Sequence, residues 1–383
     1  MAENIKFDSF KIETATLRAY TMLGALVVIW LYFHYATGGI FLTSRNLSNL
    51  MLQTSVTGVL AVGMLMVIVA GQIDLSVGSV LGLAGGVAAI CLTNLGYGLV
   101  PSILIAILIG IGIGLIHGGL VAFGKIPAFI VTLGGLLAWR GVIKGVSESN
   151  TIPIADQTFL AIGQREVTAA TGWTIAAIAV AAVFFFAYRK IQANKTYVVE
   201  NANSSGILVT AIVQAAAIIG FIYIMNSYQG VPIPVLIFLV VALLGFFITD
   251  FTTFGRYLYA IGGNPDAARL SGIKNENKIL QVYALLGALT GVAALIYTAR
   301  VGSASPDAGV LKELDAIAAC VIGGASLMGG RGTIFGACVG ALIMASLDNG
   351  MSLLNVKDFM QDIIKGSILV AAVGLDMIGR KQS

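Results

Sequence analysis

A series of long apolar runs constrains this chain more than any other feature of its sequence. A helix needs roughly 20 apolar residues to cross the hydrocarbon core of a bilayer, and these runs are continuous rather than alternating with a period of two. Because backbone polar groups inside a bilayer must hydrogen-bond to one another, such runs predict transmembrane helices rather than barrel strands. The candidate segments are residues 19–37, 50–70, 75–92, 99–123, 126–145, 170–188, 206–228, 233–250, 281–299, 314–328, 333–348 and 361–379.

The composition supports the same class of protein. Hydrophobic residues make up 58% of the 383 residues and charged residues 10%, whereas a soluble domain carries about 25% charged residues. Segments 75–92, 314–328 and 333–348 are short or rich in glycine, which is typical of segments that enter a bilayer without crossing it. We therefore expect an all-α, polytopic membrane bundle of about ten crossing helices with some short or re-entrant segments.

The distribution of Lys and Arg indicates which side of the membrane each loop occupies. If the segments alternate from a cytoplasmic N-terminus, most of the 22 Lys and Arg residues lie on the cytoplasmic side, as the positive-inside rule requires. This predicts a cytoplasmic segment at 1–18 and one membrane domain at 19–383, with both termini in the cytoplasm. Residues 251–280 then form a long cytoplasmic loop, and residues 146–169 lie outside.

Glycines recur at intervals of four residues in several segments. They include Gly78, Gly82 and Gly86; Gly110, Gly114 and Gly118; Gly287 and Gly291; and Gly336 and Gly340. Small residues at this spacing form a smooth strip on a helix, which lets a second helix approach closely in lipid. The pattern predicts a compact bundle without identifying what passes through it.

The loop at 251–280 contains a short helix with clear start and stop signals. Asn264 is a favourable N-cap, and Pro265 suits the first helical position. Asp266 lies at the positive end of the helix dipole, and Gly272 can adopt the left-handed conformation that ends a helix. These signals predict a helix at about 265–271.

So short a helix is marginal by itself, since isolated helices below about 12 residues are barely stable in water. One interpretation is that it packs beneath its own membrane domain. The other is that Ala267, Ala268, Leu270 and Ile273 form a small apolar knob for a cytoplasmic partner, with Arg269 at the rim.

The same loop resembles the coupling loop of monosaccharide permeases of ATP-binding cassette (ABC) importers, of the ribose, xylose and arabinose type. The similarity covers about residues 40–380. Its motifs are 253–256 (TFGR), 259–264 (YAIGGN), 267–273 (AARLSGI), 71–79 (GQIDLSVGS), 126–134 (IPAFIVTLG), 314–324 (LDAIAACVIGG) and 344–351 (MASLDNGM). Within the family the chain looks most like the xylose permeases, although ribose, arabinose and galactose permeases share most of these motifs. At the position of Gln72 the family often has Gly or Glu, which leaves the role of this side chain open.

The resemblance implies a multi-pass subunit of the bacterial inner membrane that imports a monosaccharide, with D-xylose as the expected cargo. It also implies a homodimeric pore, an ATPase on each coupling helix and a periplasmic sugar-binding protein on the outer face. ATP and magnesium would belong to the ATPase, so this chain is expected to need no cofactor of its own. The coupling residues would be Asn264, Pro265, Asp266, Ala267, Ala268, Arg269, Leu270, Ser271 and Gly272.

Other candidate site residues follow from their position in the membrane. Ionisable groups inside a bilayer are costly and are functional candidates by default. Asp74 is the clearest of them: it either caps a helix that begins at Leu75 or lines the pathway together with Gln72, Ser76 and Thr132. Asp315 heads its own segment, where a capping role is favoured. The predicted topology places Arg45, Arg300, Lys312 and Glu313 where they could contact the binding protein.

No motif for catalysis stands out in the sequence. Residues 119–126 fit G-x-x-x-x-G-K but continue with Ile126 where Ser or Thr would bind magnesium, and they end a membrane segment, so Lys125 is better interpreted as an interfacial anchor. His34 and His117 are far apart, each in an apolar run. We expect neither an enzyme nor a metal site, and the dispersed basic residues do not favour nucleic-acid binding.

Two other classes of protein remain open at this point. A secondary sugar transporter driven by protons or sodium is motivated by Asp74 and His117. A channel or membrane scaffold is also compatible with the apolar segments, but it gives the short helix at 265–271 no evident use.

Overall fold

The computed structural model describes residues 14–196 and 204–380. Most of the predicted segment 1–18 therefore lies outside the described residues. The helices are α1 (Thr14–Ala36), α2 (Ser44–Val69), α3 (Val77–Thr93), α4 (Leu99–Ala122), α5 (Ala128–Val146), α6 (Gln157–Gln164), α7 (Ala169–Thr196), α8 (Ser204–Asn226), α9 (Ile233–Phe251), α10 (Thr253–Gly263), α11 (Pro265–Leu270), α12 (Asn275–Val301), α13 (Lys312–Ile322), α14 (Ile334–Leu353) and α15 (Asp358–Arg380). Strands β1 (Ile152–Pro153) and β2 (Ser303–Ala304) pair antiparallel and join the α5–α6 and α12–α13 connections.

The helices confirm the predicted membrane bundle. Among the described residues, eight helices are long and apolar enough to cross a bilayer, and Thr21–Ala36 and Val77–Thr93 are shorter apolar helices. Every predicted segment coincides with a helix, although α1 already begins at Thr14 rather than at residue 19. The segment predicted at 314–328 is the short helix α13, which ends at Ile322 and gives way to an irregular stretch up to Thr333.

Helix α2 lies at the centre of the bundle. Within the apolar 18-residue stretch of α2, 89% of the residues are buried. The corresponding shares are 28% in α4, 17% in α5 and 11% in α7. It packs against α9, α12, α13 and α14. A helix that is apolar all round belongs in an interior, whereas the outer helices turn large apolar side chains such as Leu108, Leu137 and Leu243 outward, as lipid-facing helices do.

The glycine strips lie where helices come closest together. An added Cβ at Gly110 would lie 2.0 Å from the carbonyl oxygen of Gly287, and one at Gly114 would lie 2.2 Å from that of Tyr283. On the other side of the bundle, a Cβ at Gly340 would lie 1.9 Å from the carbonyl oxygen of Ala319. The predicted close approach therefore joins α4 to α12 and α14 to α13, with no room for a side chain between the backbones.

A matched pair of substitutions in α4 tests this packing. Gly110→Ala should destabilise the fold by about 1–3 kcal/mol, because the backbones of α4 and α12 must separate to admit a methyl group. Gly112→Ala is the control, since a Cβ there meets nothing within 4 Å. Thermal unfolding in detergent should show a lower midpoint for Gly110→Ala alone. Equal midpoints for the two variants would contradict the proposed contact.

Candidate functional site

The short helix α11 has the local structure that its sequence predicts. The Asn264 side-chain oxygen accepts hydrogen bonds from the backbone amides of Asp266, at 3.1 Å, and Ala267, at 3.0 Å. Pro265 occupies the first turn, and Gly272 has a φ of 84° in the left-handed region. Helix α11 runs over Pro265–Leu270, one residue shorter than the predicted 265–271. Both ends are therefore specified by residues of the loop itself.

The faces of α11 differ from the predicted knob. Ala268 is buried against its own membrane domain, with 3% of its surface exposed, so it is not available to a partner. Leu270 is 90% exposed, and Ala267 and Ser271 are exposed beside it. The burial follows from helical geometry, because neighbouring residues point about 100° apart. One side of α11 thus anchors the helix, and the other presents an apolar side chain to solvent.

Polar contacts attach α11 to the first turn of α12 and to the loop between α4 and α5. Asn275 donates from Nδ2 to the carbonyl oxygen of Pro265 at 2.8 Å. The Glu276 Oε1 atom accepts from Arg269 at 3.3 Å and from Lys125 at 2.9 Å. Lys125, whose φ of 56° is unusual for a residue other than glycine, lies in the α4–α5 loop. A single carboxylate therefore links α11 to that loop.

The end of α10 forms a second junction, with α2 and with the stretch between α13 and α14. An added Cβ at Gly262 would lie 1.8 Å from the carbonyl oxygen of Val69, and Gly330 donates to the same oxygen at 2.9 Å. Tyr259 donates its hydroxyl to the carbonyl oxygen of Gly332 at 2.7 Å. Burial, together with the nearby charge of Asp250, raises the pKa of Tyr259 to about 12, which keeps this hydroxyl protonated and donating.

Asp74 lies in the break between α2 and α3, and the predicted capping role was wrong in detail. Helix α3 begins at Val77 rather than at Leu75. The Asp74 Oδ1 atom instead accepts from the backbone amide of Ser76, at 2.7 Å, and from the Ser76 hydroxyl, at 2.6 Å. The carboxylate thus closes a turn before the helix rather than capping it, a common use of Asp in turns.

His117 of α4 connects this turn to α5. The Trp139 indole donates to His117 Nε2 at 3.0 Å, and His117 Nδ1 lies 3.3 Å from the Ser76 hydroxyl and 3.8 Å from Asp74 Oδ2. Because an indole N–H only donates, Nε2 must offer its lone pair, and the hydrogen of the neutral ring belongs on Nδ1. The sequence carries no signal that the partner of His117 would be Trp139.

The residues predicted to line a pathway do lie near one another, but most are buried in this conformation. Asp74 is 4% exposed, and Ser76 and Thr132 are fully buried. Thr132 donates its hydroxyl to Ala128 of its own helix at 2.9 Å. Gln72 lines a cavity of about 470 Å³ beside α11. Asp74 and Ser76 contact His117 of α4, and the Thr132 hydroxyl of α5 lies 3.4 Å from the carbonyl oxygen of Ile73, so these three residues join the turn before α3 to α4 and α5.

The residues predicted to meet a binding protein do not share an exposed surface. Arg45 is exposed and Arg300 is half-buried, both at the opposite end of the bundle from α11. Glu313 is 8% exposed, which does not suit a contact with another protein. Lys312 turns inward to Asp315 at 2.6 Å.

Asp315 belongs to an ionic cluster that joins three helices. Lys365 of α15 lies 3.3 Å from Asp315 of α13 and 3.3 Å from Asp348 of α14. Asp315 is the fourth residue of α13, so it does not cap that helix as predicted. The cluster pairs the buried carboxylate of Asp315 and the half-buried one of Asp348 with ammonium groups, which offsets the cost of removing these charges from water.

No three His, Cys, Asp or Glu side chains in the described part of the chain are arranged to hold a metal ion. The absence of a cofactor stays a prediction.

The comparison with known proteins identifies the family. The family described as "branched-chain amino acid transport system / permease component" matches residues 46–373. The chain belongs to this permease family. A xylose transport system permease protein, XylH, of Escherichia coli K12 is 44% identical to this permease over 372 residues, which cover 97% of the chain and 95% of XylH.

Two further relatives are also sugar permeases. XylH of Haemophilus influenzae is 46% identical over 373 residues, 97% of this permease and 100% of the relative. The ribose import permease protein RbsC of Escherichia coli K12 is 38% identical over 337 residues, 88% and 87% of the two chains. No solved structure matches this permease. The resemblance to monosaccharide permeases that the motifs carried is thus confirmed.

A pair of substitutions separates the turn-forming role of Asp74 from a role of its charge. Asp74→Asn keeps the oxygen that accepts from Ser76, so it should change the stability by less than about 1 kcal/mol. Asp74→Ala leaves the buried amide of Ser76 without an acceptor and should cost about 1–3 kcal/mol. Thermal unfolding of the purified permease measures both. If Asp74→Asn proves as harmful as Asp74→Ala, the stabilising contribution comes from the charge, which lies 3.8 Å from His117, and not from the turn.

Proposed function

We propose that this permease is the membrane subunit of a bacterial ABC importer that carries a monosaccharide, D-xylose, across the inner membrane. Hydrolysis of ATP takes place on a separate ATPase subunit, and a periplasmic sugar-binding protein delivers the cargo. The observation that carries the proposal is helix α11, capped at both ends and presenting Leu270 to solvent, in a chain 44% identical to XylH over 97% of its length.

The orientation follows from the same helix. We propose that the α11 end of the bundle faces the cytoplasm, where the ATPase is, and that both termini lie on that side. Lys125, Arg269, Lys274 and Arg331 belong to the loops at this end, in keeping with the positive-inside rule. The outer face is then formed by the opposite end, which includes Arg45 and the connection that carries α6.

The energy source lies on another chain in this proposal. Residues 119–126 finish helix α4 instead of forming the strand-to-helix turn of a phosphate loop, and Lys125 pairs with Glu276. A displacement of α11 would be transmitted to the α4–α5 loop through Glu276, which contacts Arg269 and Lys125. It would be transmitted to α2 through α10, where Gly262 packs on Val69. We propose further that two copies form a homodimer, with one ATPase on each α11.

Reconstitution tests the proposed function directly. Proteoliposomes that contain the permease, its ATPase and its binding protein should accumulate D-xylose only when ATP is present on the ATPase side. The permease alone should show no accumulation. Uptake by the permease alone that an ionophore collapses and ATP does not affect would establish the secondary transporter instead.

A substitution on α11 tests the docking surface. Leu270→Asp should leave the permease folded, because the side chain is 90% exposed. It should weaken ATPase association by at least about tenfold, because an unpaired carboxylate would be buried in the interface. Co-purification with the ATPase measures the association.

Two further variants serve as controls for Leu270→Asp. Asn277→Asp adds the same charge at an exposed position of α12 and should bind the ATPase normally. Ala268→Arg should disturb folding itself, because Ala268 is buried. Normal ATPase binding by folded Leu270→Asp permease would refute the docking surface.

A further inference from the structure

A cavity of about 530 Å³ lies at the end of the bundle opposite α11. Its wall is built from separate parts of the chain: the first turns of α2, the α8–α9 connection, Glu166 and the end of α14 at Leu353. The volume falls within the roughly 300–1,000 Å³ that is usual for small-molecule sites.

The cavity presents polar groups that are not used elsewhere. Ser48, Asn49, Tyr228 and Gln229 line it, and none of these four side chains makes a hydrogen bond with another residue that the structure describes. Neighbouring Asn46 contrasts with them, since its Nδ2 atom already donates to Asn349 Oδ1 and to the carbonyl oxygen of Phe41, both at 2.8 Å. Asn46 therefore holds the wall together. The donors and acceptors of the other four line the cavity without a partner among the described residues, with Asn49, Tyr228 and Gln229 exposed and Ser48 largely buried.

These groups match an uncharged polyhydroxyl ligand. Hydroxyl and primary amide groups both donate and accept, as each sugar hydroxyl does. The charged side chains in the wall, Arg45 and Glu166, have opposite signs and form no ion pair within the described residues. Their charges balance across the cavity, so it favours neither anions nor cations. Ligand sites typically combine a few such polar groups with apolar walls, which Ile40, Leu52 and Leu353 provide.

Helix α2 connects the cavity to the α10–α11 end of the bundle. It borders the first turns of α2, and the last residue of α2, Val69, packs against Gly262 at the junction with α10. Helix α2 is continuous between them over Ser44–Val69. A displacement of the α10–α11 end can therefore reach the cavity through one rigid helix.

We propose that this cavity is a site within the permease where the neutral monosaccharide is held in transit at the outer face. The inference rests on the proposed import function and adds to it a location and a set of ligand-binding side chains: Ser48, Asn49, Tyr228 and Gln229. Nothing in the sequence brings these residues together, since Ser48 and Asn49 belong to α2 whereas Tyr228 and Gln229 lie far along the chain in the α8–α9 connection.

The test uses the complete complex of permease, ATPase and binding protein in proteoliposomes. The double substitution Asn49→Leu with Gln229→Leu removes two amides of nearly the same size at solvent-accessible positions, so folding should be preserved. ATP-dependent D-xylose uptake should fall by about tenfold, the loss expected for two hydrogen bonds. The ATPase activity that the loaded binding protein stimulates should stay unchanged. Asn150→Leu, an exposed amide at the same end of the bundle outside the cavity, is the control and should transport normally.

The outcomes separate this inference from the proposed function. Normal uptake by the double variant, beside normal uptake by the unmodified complex, overturns the transit site and leaves the import function standing. Loss of binding-protein stimulation together with uptake would assign the surface to docking of that protein and would also overturn the site. If the unmodified complex takes up no D-xylose, the import function fails and the transit site fails with it.

Discussion

Close backbone contact between helices is the interaction on which the rest of this structure depends. Lipid tails are as apolar as leucine side chains, so helices in a bilayer gain little from burying apolar surface against each other. Gly110 of α4 and Gly287 of α12 meet with no room for a methyl group, and Gly340 of α14 meets Ala319 of α13 in the same way. These contacts build a dense frame around α2, and the frame holds the polar groups of the interior in fixed positions.

Two groups of polar side chains inside the bundle are paired across helices. Trp139, His117, Ser76 and Asp74 connect α5, α4 and the turn before α3 by hydrogen bonds. In the other half of the bundle, Lys365 connects α15 to carboxylates of α13 and α14. An unpaired polar group in hydrocarbon would cost several kcal/mol, so each pairing also selects which helices can be neighbours.

The same frame holds the short helix α11 in place. Helix α11 is too short to be stable alone, and it is held by Ala268, by the bond from Asn275 to Pro265 and by the two ion pairs of Glu276. These attachments leave the other side of α11 free for a partner. Through Glu276 they also connect α11 to the loop that follows α4, while the neighbouring Gly262 of α10 packs on the last residue of α2.

The sequence by itself determined the features that depend on local interactions. The apolar runs specified the helices, since only helices satisfy the backbone within one segment of a bilayer, and Asn264, Pro265 and Gly272 specified both ends of α11. The glycine spacing indicated close packing, and the motifs indicated the family. Only the tertiary structure decided which side of each helix meets a neighbour. It buried Ala268 while exposing Leu270, turned Lys312 and Glu313 inward, and paired His117 with Trp139. It also gathered Asn49 and Gln229 around one cavity. These outcomes depend on contacts between segments remote in the chain, whereas periodicity and capping describe only residues a few positions apart.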